Sequence, residues 1–296
     1  MSAPYELLLD ATLRHLRELK AHGGRFVEIS PETLAALGKP GRPQPAAAPE
    51  RRPPARPDPV LSPAAVSPPL APAPKFSPPA APPIRPIAPE AKAQAFAELR
   101  ARALACVKCP HLASSRQHVV FGVGDTNAPL MFVGEAPGAD EDTQGEPFVG
   151  EAGQLLTRII KAMGLSRETV YIANLLKCRP DTPGETAGNR KPTPAELAAC
   201  LPYLHEQIDL IQPRVLVALG GTAVEGLLGK TVGITKLRGH WQTYRGIPLM
   251  PTYHPAYLLK NQSLAEKRRV WEDMLAVMET LALPISDKQR GFFQKG

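Results

Sequence analysis

The sequence lacks the runs and patterns that identify several common protein classes. It has no stretch of about 20 apolar residues, the length that a helix needs to cross a bilayer, so we expect no membrane partner. Acidic residues interrupt the leucine-rich N-terminal stretch and no cleavage pattern follows it, so we expect no signal peptide either. No GxGxxG, GxxxxGKS/T or GxSxG pattern lies between a predicted strand and a predicted helix, which disfavours a nucleotide- or acyl-processing enzyme.

Cysteine is scarce as well, and the spacing of the four cysteines indicates a metal site. Cys106 and Cys109 form a C-x2-C pair, which places two thiolates on one metal ion or cluster. Cys178 and Cys200 follow far along the chain, and the absence of a second C-x2-C disfavours a zinc ribbon. A reducing compartment is expected, in which structural disulfides do not form. Spacing alone therefore predicts a four-thiolate site and leaves zinc and an iron–sulfur cluster as alternatives.

Proline is abundant in one segment, because 19 of the 35 prolines lie between Pro40 and Pro89. This segment has too few apolar side chains to offset chain entropy, which predicts a disordered Pro/Ala-rich linker over residues 39–90. Before it, leucines at helical spacing predict a short amphipathic helix within residues 1–38. That helix is either a weakly ordered appendage or a docking element, and residues 1–90 are the candidate contact for a protein partner. Residues 91–296 remain as the folded domain, with one well-buried core.

Strand-like and helix-like segments alternate through the folded domain. Apolar runs predict strands at Val119–Gly122, Leu130–Gly134, Val170–Asn174, Arg214–Leu219 and Pro248–Tyr253. Helices are predicted at about 91–105, 154–163, 193–210, 222–228 and 263–281. This alternation predicts an α/β fold, a three-layer α/β/α arrangement with a central, mainly parallel four-stranded sheet.

Three polar residues follow the carboxyl ends of predicted strands, namely Glu135, Asn174 and His254. The carboxyl ends of parallel strands meet at one edge of a sheet, where α/β proteins bind ligands, so these side chains are expected to gather there. The loop Gly134–Gly153 is dense in glycine, proline and acidic residues, which favours a functional site over an ordinary surface loop.

The segment Gly134–Gly153 resembles the first motif of the family 4 uracil-DNA glycosylases, which belong to the uracil-DNA glycosylase superfamily. Asn174 at a strand end, the segment His254–Leu259 and the four cysteines agree with that family, and the resemblance covers roughly residues 92–283. It implies the uracil-DNA glycosylase fold. It also implies a monofunctional enzyme that hydrolyses the N-glycosidic bond of uracil, the deamination product of cytosine, and so starts base excision repair.

The resemblance also implies a cofactor and a set of partners. Iron–sulfur members of the family hold a [4Fe-4S] cluster with two cysteines before the first motif and two after the Asn-bearing strand. The corresponding residues here are Cys106, Cys109, Cys178 and Cys200. The implied partner is uracil-containing DNA, single- and double-stranded, with which the formal net charge of +7 is compatible. The implied enzyme is a cytoplasmic, prokaryotic monomer.

Residue roles follow from the same resemblance. Phe148 matches the ring that stacks on uracil, and Asn174 matches the amide that reads the polar edge of the base. His254 matches the motif histidine, which stabilises the negative charge that develops at uracil O2. Gly134 belongs to the uracil-binding part of the loop. Leu258 matches the apolar wedge that fills the gap left by an extruded nucleotide.

Two positions depart from the related class of glycosylases that is best studied. Ala136 lies in the uracil-binding loop, but it stands where that class has an Asp that orients water. Gly138 stands where that class has a Tyr that excludes the methyl group of thymine. We therefore assign catalytic roles to Glu135 and Glu141, with Glu141 also placed at the pocket wall against that methyl group. Asn189 resembles a loop residue that supports this pocket.

The missing Asp leaves a second interpretation open. A protein of the same fold could bind damaged or single-stranded DNA without turnover, and the N-terminal extension is compatible with that function. A relative that becomes covalently linked to the abasic site is disfavoured, because the basic loop expected before the histidine motif is absent. The segment between Cys178 and Cys200 is a few residues longer than the family pattern, which need not disturb a cluster because loop closure entropy rises slowly with length.

Overall fold

The computed structural model describes residues 87–181, 190–229 and 232–294. Residues 1–86 lie outside the described residues, and with them the predicted amphipathic helix and most of the predicted linker. Asn189 lies outside them too. Helix α1 (Pro89–Leu104) begins inside the last residues of the predicted linker, because Pro89 occupies its first turn, where proline is favoured.

Six strands of the described chain form one sheet. They are β1 (Val123–Gly124), β2 (Leu130–Gly134), β3 (Tyr171–Asn174), β4 (Val215–Leu219), β5 (Gln242–Tyr244) and β6 (Ile247–Thr252). Their order across the sheet is β1-β3-β2-β4-β6-β5. The four central strands are parallel, as predicted, and β1 and β5 add short antiparallel pairs at the two edges.

The central strands are short apolar runs whose residues are all buried, as a parallel sheet covered on both faces requires. Successive side chains of a strand point to opposite faces. In β2, Leu130 and Phe132 therefore pack into a core on one face, whereas Met131 and Val133 pack into a core on the other. The sheet thus needs helices on both sides.

Helices provide that cover. After α1 they are α2 (Pro110–Ser115), α3 (Ala139–Gln144), α4 (Glu151–Ala162), α5 (Pro194–Ile211), α6 (Gly221–Leu228), α7 (Ile234–Leu237), α8 (Pro255–Lys260), α9 (Leu264–Thr280) and α10 (Asp287–Arg290). Helices α4 and α9 pack on one face of the sheet, and α5 and α6 pack on the other. The predicted three-layer α/β/α architecture is therefore confirmed. None of the helices described is long and apolar enough to cross a membrane.

The sheet edges differ from the sequence prediction. The strand predicted at Val119–Gly122 is wrong, because the ladder with β3 begins only at Val123, although residues 119–121 are buried. The hairpin of β5 and β6 was not predicted. Its two turn residues, Arg245 and Gly246, both have positive φ, as a tight hairpin turn requires. Arg-Gly is not one of the residue pairs that are typical of such a turn, so the hairpin could not be predicted from its turn residues.

The register of the sheet brings the ends of the central strands together. Gly134 at the end of β2 lies opposite Asn174 at the end of β3, and Leu219 of β4 lies opposite Thr252 of β6. The loops that follow β2, β3 and β6 consequently begin at the same edge. These loops carry the predicted site residues.

Candidate active site

Phe148, Asn174 and His254 come together at this edge, as predicted. The rings of Phe148 and His254 lie 5.6 Å apart between centroids and are tilted by 32°. Gly134 separates two of the three side chains: a Cβ atom there would contact the Asn174 Oδ1 atom and would lie 2.5 Å from Phe148 Cζ. Any residue larger than glycine at position 134 would therefore displace the carboxamide or the ring.

The backbone of Phe148 is held in a conformation that few residues adopt. Its φ is 56°, in the left-handed region, which costs a non-glycine residue about 1–3 kcal/mol. Arg167 stabilises this conformation, because Nη1 donates to the Phe148 carbonyl at 2.9 Å and Nη2 donates to the Pro147 carbonyl at 2.7 Å. Gly153 leaves room for it, since a Cβ atom there would collide with the Phe148 backbone. Sequence reasoning missed Arg167, because its partners are main-chain atoms far along the chain.

Asn174 carries the clearest sign of a binding site. Its side chain is 2% exposed, and Oδ1 is a buried acceptor without a hydrogen-bond partner in the described part of the chain. Leaving such an atom unpaired costs about 1–3 kcal/mol. A ligand with an N–H group at this position would satisfy it. An orphaned acceptor beside an aromatic ring is therefore suited to a planar base with a ring N–H.

His254 is the N-cap residue of α8, and its Nδ1 atom accepts a hydrogen bond from the Ala256 N–H at 3.2 Å. A neutral ring that accepts at Nδ1 carries its proton at Nε2. Burial lowers the pKa of His254 to about 4, although the nearby Glu141 carboxylate acts in the opposite direction. At neutral pH the ring is therefore an uncharged donor through Nε2.

Glu141 braces the loop rather than facing the base. Its carboxylate accepts N–H groups from Gly138 at 2.9 Å, Val149 at 3.0 Å and Gly150 at 3.1 Å. These bonds tie the first turn of α3 to the residues that precede α4. Both oxygens accept main-chain N–H groups, so the carboxylate holds the shape of the loop; its catalytic role and its contact with a base methyl group stay predictions.

The side chain of Glu135 is not engaged by any residue in the described part of the chain. Glu135 directly follows Gly134 and is half-buried. Its carboxylate forms no hydrogen bond or ion pair with any residue in 87–181, 190–229 or 232–294, whereas its main-chain carbonyl accepts from the Leu176 N–H at 3.1 Å. The side chain of the neighbouring Ala136 packs against the apolar cluster that contains the cysteines. Of the two predicted acidic residues, Glu135 is thus free to bind water.

The predicted wedge, Leu258, is buried. It is 4% exposed and packs with Tyr253 and Val270, so a role in filling a gap in DNA would require it to leave the core. The neighbouring Tyr257 is 39% exposed, stacks on Tyr253 at 4.7 Å and accepts a hydrogen bond from Asn261 Nδ2 at 3.0 Å. Leu258 faces the core because of its position on the helix α8. A helix of six residues is too short to show a periodic pattern of apolar residues in the sequence, so this orientation could not be predicted.

Arg238 forms an internal ion pair at the end of β6. Its guanidinium binds both carboxylate oxygens of Asp273, a residue of α9 that is 1% exposed. Thr252 donates its hydroxyl to the same carboxylate at 2.6 Å. This network anchors the end of β6 two residues before His254. Lys236 and Lys260 remain exposed near this edge.

The four cysteines share one region. Cys178 and Cys200 are buried in an apolar cluster, and Cys106 and Cys109 pack against it. None of these four described cysteines forms a disulfide. Burial raises the pKa of Cys178, and raises the pKa of Cys200 to about 11, so any metal that binds must displace protons. Helix α1 and helix α2 form one wall of this region through Leu99 and Leu112.

The surroundings of these thiols suit a cluster with several metal atoms. Arg116 donates to the sulfur of Cys178 at 3.3 Å, and the Lys177 N–H donates to the sulfur of Cys200 at 3.2 Å. Hydrogen bonds of this type to cysteine sulfur are features of iron–sulfur sites. Within the described residues, no three His, Cys, Asp or Glu side chains are closed around a single metal ion. The four cysteines are the side chains of this region that could hold a metal group.

Comparisons with known proteins agree with this geometry. Residues 121–275 match the family model of the uracil DNA glycosylase superfamily. The chain is 48% identical over 174 residues to a type-4 uracil-DNA glycosylase of Thermotoga maritima, covering 57% of this chain and 85% of the relative. It is 40% identical over 195 residues to a type-4 uracil-DNA glycosylase of Sulfurisphaera tokodaii, covering 63% of this chain and 84% of the relative. A type-5 uracil-DNA glycosylase of Thermus thermophilus is 30% identical over 186 residues, covering 51% of this chain and 82% of the relative. The chain therefore belongs to the uracil DNA glycosylase superfamily, and within it to the type-4 uracil-DNA glycosylases.

Proposed function

We propose that this protein is a uracil-DNA glycosylase, which hydrolyses the bond between uracil and deoxyribose in DNA and so begins base excision repair. The observation that carries the proposal is the buried, unpaired Oδ1 atom of Asn174 beside the Phe148 ring. The type-4 relatives, at 40–48% identity over most of their length, support the same reaction.

The base is held by stacking and by its polar edge. Phe148 offers an aromatic face, and Asn174 Oδ1 accepts the N3–H of uracil while its amide N–H donates to O4. Cytosine has an acceptor at N3 and a donor at C4. The Oδ1 acceptor of Asn174 would then face an acceptor, and its amide donor would face a donor. Such a mismatch costs about 1–3 kcal/mol for each buried polar group left unpaired. The enzyme therefore distinguishes uracil from cytosine at this one side chain.

Bond cleavage leaves negative charge on uracil and positive charge on the sugar, and the proposed site has one group that acts on the base and one that acts at the sugar. When the C1′–N1 bond breaks, its electron pair leaves with uracil, and His254 Nε2–H donates to the negative O2 atom. Glu135 holds a water molecule whose oxygen bonds to C1′, and the carboxylate accepts the proton that this water loses. Glu141 contributes by keeping the loop closed around the base.

We infer that Cys106, Cys109, Cys178 and Cys200 hold a [4Fe-4S] cluster. When bound, the cluster supplies iron–thiolate bonds that tie the segment before α2 to the loop after β3 and to α5. The gathering of the four cysteines in one region and the two N–H groups that donate to sulfur support this assignment. The role proposed for it is structural.

The substrate proposed is uracil-containing DNA, single- or double-stranded, and the enzyme is proposed to work as a monomer in the cytoplasm. In duplex DNA, Tyr257 is the side chain on α8 that is exposed and large enough to fill the gap left by the extruded nucleotide. The exposed Lys236 and Lys260 are candidate phosphate contacts. Residues 1–90 are proposed to bind a protein partner.

A glycosylase assay on a uracil-containing oligonucleotide tests the proposal. The wild-type protein should release free uracil and leave an abasic site. Asn174→Ala should lower kcat/KM by about 10- to 100-fold, and His254→Ala by about 100- to 1,000-fold. Asn127→Ala, which removes only a surface contact with Lys92, is the matched control and should be unchanged. Tight binding without an abasic product would instead favour a non-catalytic DNA-binding protein.

A further inference from the structure

Lys177 is a buried lysine that the proposed reaction does not use. Its side chain is 2% exposed. Its Nζ atom donates to the main-chain carbonyl of Asn174 at 3.0 Å and to Gln207 Oε1 at 2.6 Å. No carboxylate in the described ranges forms an ion pair with it. A buried cation that is held by neutral oxygens has given up its hydration, so its place in the fold calls for an explanation beyond packing.

The partners of Lys177 connect two parts of the molecule. Gln207 lies on α5 and is itself fixed, because its Nε2 atom donates to the Phe121 carbonyl and to the Tyr171 hydroxyl, each at 3.0 Å. The same helix carries Cys200, whose sulfur accepts the main-chain N–H of Lys177 at 3.2 Å. The next residue along the chain is Cys178. Lys177 is thus fixed between the cysteine region and the strand that ends at Asn174.

The peptide group after Asn174 is held from two sides. On one side the Leu175 N–H donates to the Gly134 carbonyl at 3.0 Å. On the other side the Asn174 carbonyl accepts from Lys177 Nζ. This peptide group sets the direction of the Asn174 side chain, and hence the position of the unpaired Oδ1 atom. A displacement of Lys177 would consequently also displace the Asn174 Oδ1 atom, the acceptor that faces the base in the proposed complex.

We propose that Lys177 is a positioning residue that links the cysteine-bearing loop to the amide that recognises uracil. The inference rests on the proposed function and deepens it, because it assigns base recognition a dependence on the cysteine region. Movement of α5 or of the loop after β3 is passed through Lys177 Nζ to Asn174. The role is one of alignment, since Lys177 lies behind Asn174 and does not contact the base.

Lys177→Met tests the inference, because methionine has a similar length and no donor. Four quantities are measured: the inhibition constant of free uracil, KM against kcat on a uracil oligonucleotide, the affinity for DNA with an abasic analogue, and iron per chain. We expect the inhibition constant and KM to rise about tenfold, with abasic-DNA affinity and iron content unchanged. A general loss of structure would instead weaken uracil binding and abasic-DNA binding together.

Lys108→Met is the matched control. Lys108 lies between Cys106 and Cys109 and is exposed over the Tyr203 ring at 5.1 Å, so the same substitution removes the same charge beside the cysteines without a contact to Asn174. Its uracil inhibition constant should equal that of the wild type. If Lys108→Met raised the uracil inhibition constant as much as Lys177→Met, the inference would be overturned. The loss of a positive charge near the cysteines would then explain both results.

Gln207→Met decides the question if Lys177→Met does not fold. It removes the Oε1 acceptor of Lys177 and the Nε2 bonds to Phe121 and Tyr171, and it leaves Nζ with the Asn174 carbonyl. Uracil inhibition should therefore weaken in the same direction and to a smaller extent. An unchanged inhibition constant in Lys177→Met, or in Gln207→Met where the first variant is unfolded, contradicts the inference. A wild-type protein that releases no uracil would contradict the proposed function itself, which separates the two failures.

Discussion

His254 depends on its environment for the protonation state that the reaction needs. A charged imidazolium would lose the hydrogen bond from the Ala256 N–H, because Nδ1 would itself carry a proton. Burial keeps the ring neutral by lowering its pKa to about 4. The ring is therefore an uncharged donor at Nε2, which is the state required by the role proposed for it at uracil O2.

This lowered pKa predicts a dependence of stability on pH. The ordinary pKa of histidine is 6.5, so below that value the unfolded chain binds a proton that the folded chain does not. Stability is thus complete above pH 6.5 and is lost as the pH falls towards 4. The difference between the pKa of 6.5 and the pKa of about 4 corresponds to a decrease of about 3 kcal/mol in the free energy of unfolding.

The variant His254→Asn isolates this contribution. Its carboxamide oxygen can still cap α8, but it does not titrate. The free energy of unfolding, measured with denaturant from pH 7.5 to pH 4, should fall more steeply for the wild type than for the variant below pH 6.5. Above that value the two curves should run parallel. Parallel curves over the whole range would show that the ring is not held neutral by burial.

Among the secondary-structure elements, α8 determines which side chain would face DNA in the proposed complex. Its six residues begin immediately after His254, and its direction points Leu258 into the core and Tyr257 outwards. The tyrosine is also preorganised, because Tyr253 stacks beneath it and Asn261 donates to its hydroxyl. A rigid, exposed ring at this position can replace an extruded base in the stack.

Tyr257→Ala should therefore impair activity on duplex DNA more than on single strands. We expect kcat/KM to fall about tenfold further on the duplex, since stacking by one aromatic side chain contributes about 1–3 kcal/mol. Tyr257→Phe, which keeps the ring, should stay close to the wild type. Equal losses on both substrates would remove Tyr257 from this role.

Leu258→Ala should have the opposite profile. Truncation of a buried leucine leaves a cavity, so the free energy of unfolding should fall by about 2–5 kcal/mol. Because Leu258 does not reach the surface, activity per folded molecule should change equally on single-stranded and duplex substrates. A larger loss of activity on duplex DNA than on single-stranded DNA would support Leu258 as the wedge. Thermal unfolding and parallel kinetics on the two substrates measure both quantities.

For the molecule as a whole, the sequence predicts the secondary-structure elements that show a repeated residue pattern. It does not predict side-chain roles that depend on contacts with particular main-chain groups. The four parallel strands follow from apolar runs such as Leu130–Gly134, and their polarity alone brings Asn174 and His254 to one edge. The role of Glu141 depends on three main-chain N–H groups, and that of Lys177 on a carbonyl three residues away. Such partners leave no side-chain pattern in the sequence.

The cysteine region governs how the outer layer of the molecule is attached. Helices α1 and α2 contribute to a third apolar cluster, beside the two cores that flank the sheet, and the four cysteines lie within or against it. Bonds from one cluster to Cys106, Cys109, Cys178 and Cys200 would close loops of tens of residues, and such cross-links stabilise mainly by restricting the unfolded chain.

Cys200→Ser should consequently lower iron per chain and the visible absorption of the purified protein, together with its Tm. The loss should be uneven. Within the folded part of the chain, after residue 90, limited proteolysis should cut first between residues 91 and 115, because α1 and α2 pack on this region, while the sheet and its two flanking cores stay protected. Cys109→Ser should reproduce the pattern from the opposite side of the site. Full iron content in either variant, or first cleavage within the sheet, would contradict a cluster that attaches these helices to the core.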